Sequence, residues 1–311
     1  MIIHTGLRTD IPAFYSEWFL NRLRAGEVCV RNPYNTMSVT KYSLSPSVVD
    51  LICFCTKNPS PLLSDTAAAL LEPYGQLWFV TITPYGKLYE PNVPDKAEVM
   101  DSFRRLSKIV GRVSWRYDPV FLCGKYTVEQ HKKSFEKICR GLSGYTNECI
   151  VSFIDLYPKV KKNFPEISEV SFEIQLELAD FFVRVGERFG IKIKSCGESA
   201  ELSKVGVDVS GCMTKIVYER AVGDSMHFPE RRQNRKECDC FLGCDIGVYN
   251  SCAHFCRYCY ANTNQHAVRI NRNNHDPQSS LLIGHINPND TIKISSASKY
   301  NIPIQNSLFD P

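Results

Sequence analysis

The residues with the most chemistry in this chain stand close together, in the run Cys252-Ala253-His254-Phe255-Cys256-Arg257-Tyr258-Cys259-Tyr260. Three thiols spaced C-x3-C-x2-C can wrap one small metal centre, and thiolates favour zinc or an iron–sulfur cluster. Zinc sites usually draw on two separated Cys pairs or on Cys/His knuckles, which this run lacks. An iron–sulfur cluster held by three cysteines leaves one iron open to bind and activate a small molecule. The bland alternative is three buried thiols, which does not account for the spacing.

A second set of cysteines is more scattered. Cys238-Asp239-Cys240 is a C-x-C pair; in an extended segment its side chains leave one face roughly 7 Å apart. Cys196 follows a predicted strand and Cys212 follows Gly211 in a loop-like stretch. Together Cys196, Cys212, Cys238 and Cys240 would complete a four-thiolate site for an auxiliary [4Fe-4S] cluster, with Cys244 as a substitute ligand. The competing reading is buried thiols, and it is preferred for Cys29, Cys53, Cys123, Cys139 and Cys149 on strand or helix patterns. Cys55 ends a strand and stays ambiguous.

The composition sets the context. The chain has 311 residues and 14 cysteines, with 43% hydrophobic and 23% charged residues, which excludes global disorder. No apolar run approaches the roughly 20 residues that span a bilayer. Met1-Ile2-Ile3-His4-Thr5 lacks the pattern of a signal peptide. A cytoplasmic protein with no membrane association is expected, and there metal binding or reactive thiols are favoured over disulfides. The net charge of +4 is weak support for a nucleic-acid partner. Arg231–Lys236 is a basic run that reads as a solvated loop before a phosphate-binding patch.

The elements that must position these residues alternate. Apolar, β-branched runs at Ile2–Thr5, Asp50–Cys55, Leu77–Thr83, Arg112–Arg116, Cys149–Phe153, Ile191–Ser195 and Ile246–Tyr249 read as strands. Helical stretches follow most of them. Asp95–Val110 carries Val99, Phe103, Leu106 and Val110 at helical spacing. Thr127-Val128-Glu129-Gln130 resembles a capping box, and Glu173–Phe189 is closed by Gly190. An early helix holds Trp18, Phe19 and Leu23 and ends near Gly26. Strand–helix alternation predicts an α/β fold with a parallel sheet. In a barrel of such strands, the polar residues after the strands share one face, where barrel enzymes keep their active sites. These residues are Arg8, Thr9, Asp10, Lys57, Asn58, Thr83, Arg116, Asp118, Asp155, Cys196 and Glu198.

The cysteine run resembles the signature of the radical S-adenosylmethionine (SAM) superfamily, with its aromatic residue before the last cysteine, here Tyr258. The resemblance takes in Asp245–Asn250 as a lead-in strand and Tyr260-Ala261-Asn262 after it. It implies a [4Fe-4S] cluster on Cys252, Cys256 and Cys259, SAM chelated to the unique iron, and Tyr258 against the adenine. It implies reductive cleavage of SAM to a 5′-deoxyadenosyl radical that abstracts hydrogen from a substrate. In that superfamily the motif lies near the amino terminus, whereas here it comes after the other strands. The expected explanation is a circularly permuted (βα) barrel or partial barrel, with Ile246–Tyr249 as the first strand placed last. The whole chain is similar to an uncharacterised bacterial and archaeal domain family, sometimes labelled similar to spore photoproduct lyase. The segments that carry this are Arg8-Thr9-Asp10-Ile11-Pro12-Ala13, Thr56-Lys57-Asn58-Pro59, Trp115-Arg116-Tyr117-Asp118-Pro119 and Asp245-Ile246-Gly247.

The expected organisation is a βα barrel body over 1–195, a Cys-rich segment over 196–262 that completes it, and a polar tail over 263–311 packed on the body. Arg8, Asp10, Lys57, Arg116 and Asp118 are the candidate substrate-side residues, Arg116 or Lys57 holding a carboxylate; the rival is local ion pairing of Arg8 with Asp10 and of Arg116 with Asp118. The expected partners are SAM, a substrate that nucleic acid could supply, and an electron donor such as flavodoxin or ferredoxin. The alternative class is a non-catalytic iron–sulfur or zinc protein that binds nucleic acid through Arg231–Lys236, Arg269 and Arg272.

Overall fold

Short β-branched runs flanked by turn residues build the central sheet of this computed structural model, which describes residues 1–228 and 239–301. The strands and helices alternate in the first part of the chain. β1 (Ile2–His4) is followed by α1 (Ile11–Phe14) and α2 (Ser16–Ala25), then by a hairpin of β2 (Glu27–Arg31) and β3 (Ser38–Ser43). β4 (Leu51–Thr56), α3 (Asp65–Leu71), β5 (Gly75–Thr81), α4 (Lys96–Val110), β6 (Val113–Val120) and α5 (Val128–Leu142) continue the alternation. β7 (Glu148–Phe153), α6 (Pro158–Asn163), α7 (Phe172–Arg188), β8 (Lys192–Ser195) and α8 (Lys215–Val222) follow. β9 (Cys244–Asp245), α9 (Gln265–Asn273) and β10 (Thr291–Ile294) come last.

Seven strands form one parallel sheet in the order β8-β7-β6-β5-β4-β1-β9. Apart from β9 the order is sequential. β9, the last of these strands in the chain, lies beside β1, the first. A separate sheet of β2, β3 and β10 includes the Ile292-Lys293-Ile294 run.

Alternation along the strands gives the sheet two different faces. Ile3, Ile52, Phe54, Trp78, Val80, Trp115, Tyr117, Val151 and Ile193 point to one face and share a core with Trp18 and Phe19 of α2. Phe103, Phe135 and Phe182 of α4, α5 and α7 complete that core. The other face carries Ile2, Leu51, Cys53, Leu77, Phe79 and Ile150 and is covered by Cys212, Met213, Tyr218 of α8, and Met226. Farther along the same rows come Cys55, Arg116, Asp118 and Ser152. Polar residues on that face thus gather toward the carboxyl ends of the strands.

Local signals set several boundaries. Thr127 caps α5, its Oγ1 accepting the Gln130 N–H at 3.2 Å. Only half of the expected capping box forms, because the Gln130 side chain donates to Ser134 Oγ at 3.0 Å instead. Gly26 and Gly111 close α2 and α4 in the left-handed conformation that glycine adopts without strain. Gly6 serves a different need: a Cβ there would stand 2.1 Å from the Cys55 carbonyl oxygen, so the turn after β1 can press onto β4 only without a side chain.

Three expectations change. The strand expected at Ile246–Tyr249 is instead β9, Cys244–Asp245. Ile246 N–H still bonds the His4 carbonyl at 3.0 Å, but Asp245 Oδ1 then accepts the Gly247 N–H at 3.0 Å and turns the chain off the ladder. β6 runs on to Val120, so Arg116 and Asp118 lie inside a strand rather than after one. The β2–β3 hairpin was not expected, because its strands alternate with polar residues rather than forming apolar runs. Arg231–Lys236 and Cys238 lie outside the described residues.

Candidate metal centre and active site

The motif loop leaves the carboxyl end of β9 and closes on itself. Asn250 N–H bonds the Ala261 carbonyl at 3.2 Å, and the Asn262 side chain donates to the Cys252 carbonyl at 2.8 Å. Asn250 and Phe255 hold φ near 57° and 56°, left-handed values that non-glycine residues adopt only when their surroundings enforce them. This tight winding brings Cys252, Cys256 and Cys259 into one another's electrostatic range, half-buried and in no disulfide. Burial pushes the Cys256 thiol up to about 12, against the downward pull of Lys57. Three thiols on one loop, with a cation beside them, form a donor set that suits a cluster carrying negative charge.

Two acidic residues anchor this loop from the segments after β1 and β5. Asp10 follows β1 and caps α1, accepting the Ala13 N–H at 3.0 Å. It also accepts from Thr56 Oγ1 at 2.7 Å and from the Lys57 N–H at 2.8 Å, both at the end of β4. Its Oδ2 lies 2.8 Å from Nε2 of His254, inside the motif. Glu90, in the loop after β5, is the second anchor. It is 1% exposed and takes Lys57 Nζ at 2.9 Å and Thr83 Oγ1 at 2.8 Å. Lys96 and the Tyr258 hydroxyl also contact it. Burial alone would raise this carboxyl, but the Lys57 and Lys96 ammoniums hold it down to about 2.

The remaining predicted residues divide. Arg8 pairs with Asp245, its Nε 2.5 Å from Oδ2, and not with Asp10. Arg116 lies 3.5 Å from Asp118 in an ion pair, as local pairing predicted, and Asp118 also accepts from Ser152. The same guanidinium donates to Cys212 Sγ at 3.5 Å and lies over the Phe79 ring. Lys57 is taken by Glu90 and stands over the Tyr258 ring at 5.5 Å. Tyr258 itself is buried in an aromatic cluster with Tyr85 and Phe121.

Cys196, Cys212 and Cys240 converge on the covered face of the sheet, their sulfurs all within 4.8 Å of one another. The fourth expected member, Cys238, is outside the described residues. Glu198, just beyond Cys196, accepts the Phe153 N–H at 2.8 Å, and burial pushes its carboxyl up to about 8. Ala253 and Phe255 of the motif loop, with Phe14, Asn92, Arg269 and Arg272, line a cleft of about 390 Å³.

His254, Glu90, Lys96 and Asp245 were not singled out as site residues from the sequence. His254 could have been found, since it stands between the motif cysteines. Glu90 had only a weak signal, its place in the long segment between β5 and α4. Lys96 opens a helix, where a lysine is usually solvated. No curated protein and no solved structure gives a significant match to the chain. A family model does match, over residues 2–261, and this span takes in β1 to β9 and the whole motif loop. The chain belongs to the family described as Domain of unknown function (DUF1848).

Proposed function

We propose that this protein is an iron–sulfur enzyme of radical SAM type, with its cluster on Cys252, Cys256 and Cys259. The observation that carries the reading is the motif loop: three half-buried thiols wound together at the carboxyl end of a parallel sheet. The strand order supports it as well. Counting β9 first, the sheet reads β9-β1-β4-β5-β6-β7-β8, the succession expected of a permuted βα barrel. Bound there, the cluster with SAM supplies a 5′-deoxyadenosyl radical by one-electron reduction, from a donor such as flavodoxin or ferredoxin.

The chain's own residues have separable tasks in this reading. Asp10 orients His254 and so fixes the arc of the loop between Cys252 and Cys256. Glu90 positions the Tyr258 ring and holds Lys57 and Lys96 beside Cys256, where their positive charge offsets thiolate charge. Arg8 and Asp245 pin the end of β9 against the turn after β1. Arg116 and Asp118 line the substrate side. The substrate is an organic molecule with an abstractable hydrogen, and nucleic acid, acted on in a lyase-type reaction, is one member of that class.

The test is anaerobic reconstitution with iron and sulfide, followed by dithionite and SAM. Release of 5′-deoxyadenosine, lost in a Cys252/Cys256/Cys259→Ala variant together with about four irons, is the expected result. A colourless protein that carries zinc on these cysteines and leaves SAM intact would overturn the reading.

A further inference from the structure

The second thiol group is drawn too tightly for the cluster that the sequence suggested. Cys212 Sγ lies 3.2 Å from Cys196 Sγ and 3.8 Å from Cys240 Sγ. Four thiolates around one zinc at about 2.3 Å stand about 3.8 Å apart, the edge of the tetrahedron. In a four-iron cluster each cysteine binds a different iron, so the sulfurs stand farther apart than around one shared atom. Among the described residues no other trio of such ligand atoms, the motif cysteines included, closes to within 4.8 Å.

We propose that Cys196, Cys212 and Cys240 hold a single tetrahedral divalent metal, zinc by its match to soft thiolate ligands. Binding converts the three thiols to thiolates, and their protons pass to solvent. Three protein ligands with a water or other donor in the fourth position is an established zinc arrangement, so the site does not depend on Cys238.

The surroundings fit a site with net negative charge. Three thiolates around a divalent cation leave one negative charge, and the Arg116 guanidinium, 3.5 Å from Cys212 Sγ, balances it. Beside neutral thiols this half-buried cation would have Asp118 at 3.5 Å as its ion-pair partner, with its Nε atom screened from solvent and making no hydrogen bond. Charge largely withdrawn from water and so weakly compensated is costly. The Met213 N–H donates to Cys240 Sγ at 3.3 Å, the backbone support that orients thiolate ligands in metal sites. Gly211, at φ 91°, makes the turn that presents Cys212 and Met213 to Cys240.

The metal would join three segments that the chain separates by 16 and 28 residues. One is the end of β8, one is the turn before α8, and one leads into β9. Clamping them fixes the cover of the inner sheet face, including Met213 and Tyr218, onto Cys53, Leu77 and Phe79. The site therefore supports the substrate side of the sheet without taking part in electron transfer, and it stands whether or not the motif loop carries a catalytic cluster.

The experiment uses the full chain, purified in air so that oxygen-sensitive clusters are lost. Metal analysis should find about one zinc per chain, retained in the Cys252/Cys256/Cys259→Ala variant and lost in the Cys196/Cys212/Cys240→Ser variant. Arg116→Ala should weaken zinc binding about tenfold, as loss of supporting contacts does in other zinc sites. Should the cysteine variant not fold, cobalt exchanged into the Cys252/Cys256/Cys259→Ala chain, which lacks the motif thiols, reads the site directly. Tetrahedral d–d bands with thiolate charge transfer support the proposal, and an octahedral spectrum overturns it. Zinc that survives the Cys196/Cys212/Cys240 substitutions overturns it too. So does a loss of about four irons on those substitutions in anaerobic protein, because that is a cluster.

Discussion

His254 Nε2 lies 2.8 Å from Asp10 Oδ2, so a histidine between two motif cysteines is tied to the carboxylate that also caps α1 and binds the end of β4. Asp10 and His254 are 244 residues apart in the chain. One side chain thereby joins the turn after β1, the end of β4 and the motif loop, and the position of the loop depends on it.

Asp10→Ala removes an acceptor from several buried donors at once. The expected loss is about 2–4 kcal/mol, since each hydrogen bond to a charged group contributes about 1.5–3 kcal/mol and orphaned donors add to the cost. Urea denaturation should show a lower midpoint at unchanged slope. His254→Ala should cost less, because it leaves the contacts to Ala13, Thr56 and Lys57 in place. Equal losses in the two variants would mean that the His254 contact carries the whole effect.

Glu90→Gln leaves the half-buried Lys57 and Lys96 ammoniums against a buried neutral amide. Breaking a buried pair in this way costs about 3–5 kcal/mol. Adding Lys96→Met should recover part of the loss, and a double-mutant cycle measures the coupling. The sign with pH follows from the lowered carboxyl, about 2 against an ordinary 4.5. Its stabilisation is fully present above pH 4.5 and disappears as the pH falls toward about 2. In Glu90→Gln that acid-dependent component should be missing from the stability curve.

His4 and His131 make stability sensitive to milder acid. Burial lowers each from 6.5 to about 4. Neither His4 ring nitrogen meets a hydrogen-bonding partner among the described residues, whereas His131 contacts the Tyr117 hydroxyl at 2.8 Å and the Phe121 carbonyl at 2.9 Å. The unfolded chain takes up these protons near pH 6.5 and the folded chain only near pH 4. Their stabilisation is therefore complete above pH 6.5 and falls through that window, each histidine contributing up to about 1.4 kcal/mol per pH unit. His4→Leu should lower the slope between pH 6.5 and about 5 by up to about 1.4 kcal/mol per pH unit, measured by urea unfolding at a series of pH values. An unchanged slope would show that His4 titrates alike in both states.

The sequence by itself determined what depends on neighbours in the chain. Apolar runs such as Asp50–Cys55 and Leu77–Thr83 specify buried parallel strands because both of their faces are covered. The stripe of Val99, Phe103 and Leu106 specifies α4, and Thr127 specifies where α5 starts. The spacing of Cys252, Cys256 and Cys259 specifies a three-thiol loop wherever that loop lies. Residues in β2 and β3, such as Val28, Val30, Val39 and Tyr42, were harder to read, since their alternating pattern gains meaning only when a partner strand covers one face.

Tertiary structure decided which charges meet. Arg8 chose Asp245 over the nearby Asp10 because β9 lies beside β1, a neighbourhood that strand order creates and local spacing does not encode. Glu90 gathers Lys57, Lys96 and Tyr258 from separate parts of the fold. Cys196, Cys212 and Cys240 were visible as metal-binding residue types, but their separation, which argues for one metal atom rather than four, exists only once the cover is folded onto the sheet. Periodicity and capping act over a few residues, whereas Coulomb pairing and metal geometry depend on distances of a few ångströms that only the assembled sheet sets.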